Sequence, residues 1–240
     1  MRAELASLAE PVRAAHHATF FKTGKGQYGE GDRFLGIPVP AQRKVARRYA
    51  HMSLDDVARL LRSPIHEHRF TGVEILVLQY ERAPAEKKEE ICSFYVSHGT
   101  RLNNWDLVDT SAPYILGEHL SDRKRSRAML YELAQSPDLW ERRIAIIATL
   151  ALIKKGETRD TFRLAEILLD DTHDLIHKAV GWSLRESGRV SRAALLRFLK
   201  KHYYRLPRTT LRYAIEHLPP PERKLILAGV FPKLESEPDT

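Results

Sequence analysis

Trp105 and Asp109 stand four residues apart in the stretch NNWDLVDTSAP, residues 103–113. On a helix that spacing puts an indole and a carboxylate on one face. An indole offers a π surface to a cation, and a fixed carboxylate stabilises positive charge as it develops in a transition state. Lys178 and Trp182 repeat the spacing with a cation in place of the acid. Two indoles, a carboxylate and flanking cations can form one reactive patch. Each also has a plainer use: Trp105 and Trp182 as core aromatics, Asp106 or Asp109 as the cap of a helix that begins at Asn103 or Asn104. Trp140, directly after SPDL, reads as core.

Such a patch exists only if the elements carrying these residues set them side by side. Segments such as SLDDVARLLRS, RFTGVEILVLQYERA, RRIAIIATLALIKK and RAALLRFLKKHYY carry apolar residues at three-and-four spacing, the amphipathic helical period. Pro64, Pro84, Pro137, Gly156, Gly188, Pro207 and the run Pro219 to Pro221 cut the pattern into helix-sized pieces. No segment alternates like a strand. Residues 22–40 form the one long irregular stretch, a surface loop carrying Tyr28.

Aligning HRFTGVEIL, NWDLVDTSA, RRIAIIATL, HKAVGWSLR and LRYAIEHL brings Arg69, Asp106, Arg143, Lys178 and Arg212 to one phase, spaced 37, 37, 35 and 34 residues apart. A period of that size predicts helix pairs that bury their apolar faces only by stacking. The predicted fold is all-α, a right-handed α-α superhelix of HEAT-like repeats with a concave groove. Residues 1–240 read as a single domain: N-terminal helices and a glycine-rich loop over 1–50, repeats over 51–231, a short tail over 232–240. Arg69, Arg143, Lys178 and Arg212 would line the groove as a basic track, interrupted by Asp106. The same cations can instead cap helices or pair with neighbouring acids.

Charge favours a polyanion. The net charge is +8, and residues 1–120 hold 16 Lys and Arg against 15 Asp and Glu while residues 121–240 hold 23 against 16. A one-sided basic surface gains affinity by releasing counterions from phosphates. With Cys92 as the sole cysteine there is no disulfide framework, which fits a reducing, cytoplasmic setting. No apolar run reaches the roughly 18 residues a membrane span needs, and MRAELASLAEPVRAAHH reads as an amphipathic helix rather than a signal peptide. The histidines of HEH (66–68) and HH (16–17) lack metal-ligand spacing and read as surface, and GKGQYGEG lacks the strand and GK[ST] ending of a phosphate loop. No metal and no cofactor are expected.

RFLGIPVPAQRK (33–44), WDLVD (105–109), LWERRIAI (139–146) and KAVGWSLRE (178–186) resemble, in order and separation, the AlkD-like DNA alkylation repair enzymes, the HEAT-like repeat DNA glycosylases. The similarity runs from about residue 15 to 218. It implies a monomeric, metal-free, monofunctional glycosylase that removes cationic N3- or N7-alkylated purines, such as 3-methyladenine or 7-methylguanine, from double-stranded DNA in base excision repair. It also implies Asp109 as the catalytic carboxylate, Trp105 and Trp182 as its aromatic partners and Arg143 as the functional arginine, with Tyr28 near the lesion and Asp106 in support. Two rivals remain: a non-catalytic HEAT module for damaged or branched DNA, and a protein-interaction scaffold, for which a basic stripe is the wrong charge.

Overall fold

The apolar period resolves into helices throughout residues 1–232, the part of the chain that the computed structural model describes. The expected tail, 232–240, lies outside the described residues except for its first. The chain divides into two compact units at residues 122 and 123. The first contains α1 (Arg2–Ser7), α2 (Pro11–Phe20), α3 (Val39–Arg48), α4 (Leu54–Leu61), α5 (His66–Arg82), α6 (Ala85–Ser97), α7 (Trp105–Ser111) and α8 (Glu118–Leu120). The second contains α9 (Ala128–Ala134), α10 (Leu139–Lys154), α11 (Arg159–Ile167), α12 (Asp174–Val190), α13 (Arg192–His202), α14 (Arg208–Ala214) and α15 (Pro220–Leu227). Among the described residues no helix is long and apolar enough to cross a membrane.

Helix starts follow local chemistry. Ser53, Asp138 and Ser191 accept backbone N–H groups at the starts of α4, α10 and α13, and Pro11 and Pro220 sit where a missing N–H costs nothing. α5 and α10 are central helices, packed by α3, α4, α6 and α7 in the first unit and by α9, α11 and α12 in the second. Residues 66–76 of α5 and 143–149 of α10 are buried all round, so neither helix has a solvent stripe over that length.

The five residues aligned by sequence period all fall in the first two turns of a helix, in α5, α7, α10, α12 and α14. Within the units, α5 packs on α7, α10 on α12, and α12 on α14, as stacked helix pairs require. Polar links between neighbours keep nearly the same separation: Arg69 with Asp32, Arg43 with Glu74, Arg127 with Asp160, Arg142 with Asp171, Lys201 with Glu166, and Thr210 with the His177 carbonyl, each 29 to 37 residues apart. At Gly181 a methyl group would lie 2.5 Å from Tyr213 Cβ, so the missing side chain is what lets α14 approach α12 this closely.

The loop between α2 and α3 is fastened rather than loose. Arg33 pairs with Ile65 in an isolated parallel bridge, and the Glu67 carboxylate accepts the N–H groups of Leu35, Gly36 and Ile37. Gly36 has φ +80°, and a Cβ there would lie 2.2 Å from the Glu10 carbonyl oxygen, so only glycine closes this turn against α2. Leu5, Ile37 and Val45, fully buried, seal the loop's end against α1 and α3. Counted by unit, residues 1–122 hold 16 basic and 16 acidic side chains and residues 123–240 hold 23 and 15, so the entire +8 belongs to the second unit.

Candidate functional site

α7 begins where the sequence allowed, with Asn104 as its cap: the fully buried Asn104 side chain accepts the Trp105 N–H at 2.8 Å. Asp106 Oδ1 takes the Leu107 N–H at 2.9 Å. Asp109 lies a full turn beyond these positions, at the fifth residue of the helix, and is not its N-cap. Its carboxylate is half-buried on the same helical face as Trp105. Just after α7, Pro113 has no N–H to give, and the helix widens into a π turn over Pro113–Gly117, with Gly117 N–H reaching the Ala112 carbonyl at 2.8 Å.

Trp105 is held from two directions. Its Nε1–H donates to the Tyr28 hydroxyl at 3.2 Å, and Phe21 stacks on it with ring centres 5.4 Å apart. Phe20 meets it edge-on at 6.0 Å and is itself 55% exposed. Phe34 continues the stack from Phe21 to His66. An indole pinned at both its nitrogen and its face keeps one orientation, with part of its surface open to solvent.

Behind this cluster runs a chain of buried charges. Arg69 donates to Asp32 at 2.6 Å and to the Ser63 carbonyl at 2.8 Å; His66 Nδ1 lies 3.4 Å from Asp32, and its Nε2 donates to Asp106 at 2.8 Å. Burial alone would push the His66 pKa down. The Asp106 charge and hydrogen bond, with Asp32 on the other ring nitrogen, outweigh it and raise His66 to about 9. Burial would likewise raise Asp32, but His66 and Arg69 hold it below the ordinary carboxylate value. Two carboxylates and two cations thus lock the loop to α5 and α5 to the first turn of α7, which sets the height of Trp105. The wholly buried Tyr95 hydroxyl, bonded to Ser111 at 2.9 Å, is shifted above the ordinary phenol value mainly by burial, with smaller contributions from Cys92 and from the charge of Asp109.

The structure brings Tyr28, Trp105, Asp106 and Asp109 together in the first unit. Arg69, expected on an exposed basic track, is instead 3% exposed and committed to Asp32. Its position faces the loop rather than solvent, and loop residues from more than thirty positions upstream cover it. Arg143, expected on the same track, is buried in the second unit, where it donates to the Leu175 carbonyl at 2.5 Å and ties α10 to the start of α12. Lys178 is half-buried and pairs with Asp174 one turn earlier at 2.7 Å; Arg212 is exposed on α14; Trp182 is half-buried on α12. Trp140 is core. The HEH segment, read as surface, is the largest misreading: His66, Glu67 and His68 are all buried, because the loop and α7 cover the first turn of α5. His66, Asp32, Phe20 and Phe21 were therefore missed as site residues. No local signal marks them, since their partners lie 34 to 85 residues away in sequence.

Comparison with known proteins bears on what this cluster serves. Curated proteins gave no significant match. Among solved structures, a predicted DNA alkylation repair enzyme from Enterococcus faecalis superposes with a TM-score of 0.67 over 88% of this chain and 97% of that one; at 17% identity the likeness is one of fold. A family model for DNA alkylation repair enzymes matches residues 1–218, which span every residue of the cluster around Trp105 as well as Arg143, Lys178, Trp182 and Arg212. With the fold and the sequence match in agreement, the chain belongs to the DNA alkylation repair enzyme family.

Proposed function

We propose that the protein is a monofunctional DNA glycosylase that hydrolyses the N-glycosidic bond of N3- or N7-alkylated purines in duplex DNA. The observation that carries this reading is Asp109: a half-buried carboxylate one helical turn from an indole fixed by Tyr28 and Phe21. An alkylated purine is already cationic and leaves as a neutral base, so no general acid is required. As the bond from C1′ to the base nitrogen breaks, positive charge develops on the deoxyribose. Asp109 stabilises that charge and orients a water whose oxygen bonds to C1′, its proton passing to solvent. The hydrolysis leaves an abasic site. No lysine stands in WDLVD to form a Schiff base, so strand cleavage is not expected.

In this reading Trp105 and Trp182 offer π faces to the sugar and the cationic base, worth about 0.5 to 2 kcal/mol per contact depending on desolvation. The second unit, which carries all of the net charge, supplies phosphate contacts through Lys178 and Arg212, while Arg143 holds the start of α12 that carries Lys178 and Trp182. The phosphate contacts fix register without reading sequence. Arg69 serves as the loop's anchor and, like Arg143, drops out of the direct phosphate contacts. Arg212→Ala should weaken duplex binding and flatten the slope of log affinity against log salt by roughly one unit; an unchanged slope in a salt titration would remove Arg212 from the phosphate contacts.

The first test is release of free base from a duplex carrying one 7-methylguanine, then one 3-methyladenine. Release above the spontaneous rate supports the enzyme. Retained duplex binding without release from either lesion would replace it with a non-catalytic binder of damaged or branched DNA.

A further inference from the structure

At the end of α5 away from the Trp105 cluster, the first unit holds a cleft of about 600 Å³. It is bounded by the last turns of α3 and α5, the turn that leads into α4, and the start of α6. His66 and Arg82 are the first and last residues of α5, so about 24 Å of helix separates this cleft from the groups that support Trp105.

Its charge is one-sided. Arg47 reaches it from α3, His51 from the turn, Arg82 from α5 and Lys87 from α6. No Asp or Glu is among the described residues that line it, although the unit as a whole holds equal numbers of acids and bases. Lys87 pairs with Glu90 at 2.7 Å. The Arg47 and Arg82 side chains are exposed and have neither a hydrogen bond nor an ion pair among the described residues. A cation in a last turn complements the helix dipole, which accounts for Arg47 and Arg82 one at a time. It does not account for two helix ends bringing them, with Lys87, to one acid-free cleft.

The shape of the cleft is built in. Gln79 donates from Nε2 to the carbonyls of Ala50 at 2.9 Å and Met52 at 2.7 Å, which pins the turn carrying His51 against α5. Leu54, Leu78 and Ile91 make part of the wall apolar. The volume falls within the roughly 300 to 1,000 Å³ of small-molecule sites, which join an apolar lining to a few convergent polar groups. A phosphate monoester carries about −1.5 to −2 charge at pH 7 and three strong acceptor oxygens, and the arginine fork matches that geometry. A carboxylate brings less charge and fewer acceptors. A duplex presents its phosphates to an open face, whereas a concave site of this size encloses a small molecule.

We infer that this cleft is a binding site for a small organic phosphate, its phosphate held by Arg47, Arg82 and Lys87 and its carbon skeleton lying against Leu54, Leu78 and Ile91. The site stands apart from the chemistry at Asp109 and does not rest on the glycosylase reading.

The test titrates the full-length protein, at low salt, with phenyl phosphate, inorganic phosphate and phenol, following backbone amides by NMR and heat by calorimetry. Phenyl phosphate should bind at submillimolar concentration, inorganic phosphate several-fold more weakly and phenol not detectably. The amide shifts should concentrate in residues 50–54 and 82–87. The double variant Arg47→Gln, Arg82→Gln should bind phenyl phosphate at least tenfold more weakly. Both residues are exposed, so its urea unfolding transition should match that of wild type. No detectable binding at millimolar phenyl phosphate, binding that leaves those amides unmoved, or binding that survives the double substitution would overturn the inference. A double variant that loses duplex affinity, where wild type binds no phenyl phosphate, would overturn it as well and give the two arginines to the DNA backbone. Base release from a 7-methylguanine duplex should be equal in wild type and the double variant. Phenyl phosphate binding without release from any duplex would sink the glycosylase reading and leave this site standing.

Discussion

Asp109→Asn should reduce base release from a 7-methylguanine duplex by roughly 10² to 10³, the usual consequence of removing one preorganised electrostatic contact from a transition state. The substitution keeps the shape of the side chain and takes away its charge. Because Asn104 caps α7 and Asp106 secures its first turn, Asp109 is not needed to form the helix, and the variant should unfold at nearly the same denaturant concentration as wild type. Duplex affinity should hold or rise slightly, since a negative charge near phosphates is lost. The decisive comparison is single-turnover release at saturating enzyme, which separates chemistry from binding. Equal release by the two proteins would remove Asp109 from the mechanism, and release lost together with the fold would mark it as structural.

The second large effect concerns His66 and runs with pH. Folded His66 holds its proton to about pH 9, against about 6.5 for an unfolded imidazole. The raised value means that its contribution to stability is complete below pH 6.5 and is lost as pH climbs through 9. At full strength it amounts to about 3 kcal/mol. His66→Gln removes the cation between Asp106 and Asp32 and should destabilise the protein most at pH 6. The gap between the two proteins should then close as the pH rises and wild type gives up the same charge. Urea unfolding at pH 6, 7, 8 and 9.5 measures this directly. Parallel curves for the two proteins would show that His66 does not carry its proton where the buried carboxylates call for it. Because Asp106 joins His66 to the first turn of α7, base release should decline over the same interval, through a less constrained Trp105.

Much of this architecture is legible in the chain alone. Helix starts at Asn104 and Asp138 are written in capping residues, and the core position of Trp140 follows from its place directly after SPDL at the start of an apolar helix. The spacing of 34 to 37 residues is local information repeated, and the polar links between neighbouring helices span a similar 29 to 37 residues. The pairing of Trp105 with Asp109 needs only 3.6 residues per turn. The basic track was less secure, because sequence phase says which residues are equivalent and not which are covered. Arg69 and Arg143 share a phase with Lys178 and Arg212, yet both are buried while those two are half-buried and exposed.

What the sequence by itself determined is therefore the helical class, the repeat and the face that Trp105 shares with Asp109, all fixed by interactions within a few residues. Tertiary structure decided what surrounds them. Tyr28 reaches Trp105 across 77 residues, Asp32 reaches Arg69 across 37, and the histidine between two buried acids looks in the sequence like any other polar residue at a helix start. A polar side chain in a first turn has the same local preferences whether it meets water or a carboxylate. Only the loop folded over α5, closed at Gly36 and stapled by Glu67, turns His66 and Arg69 from surface groups into the buried support of the site.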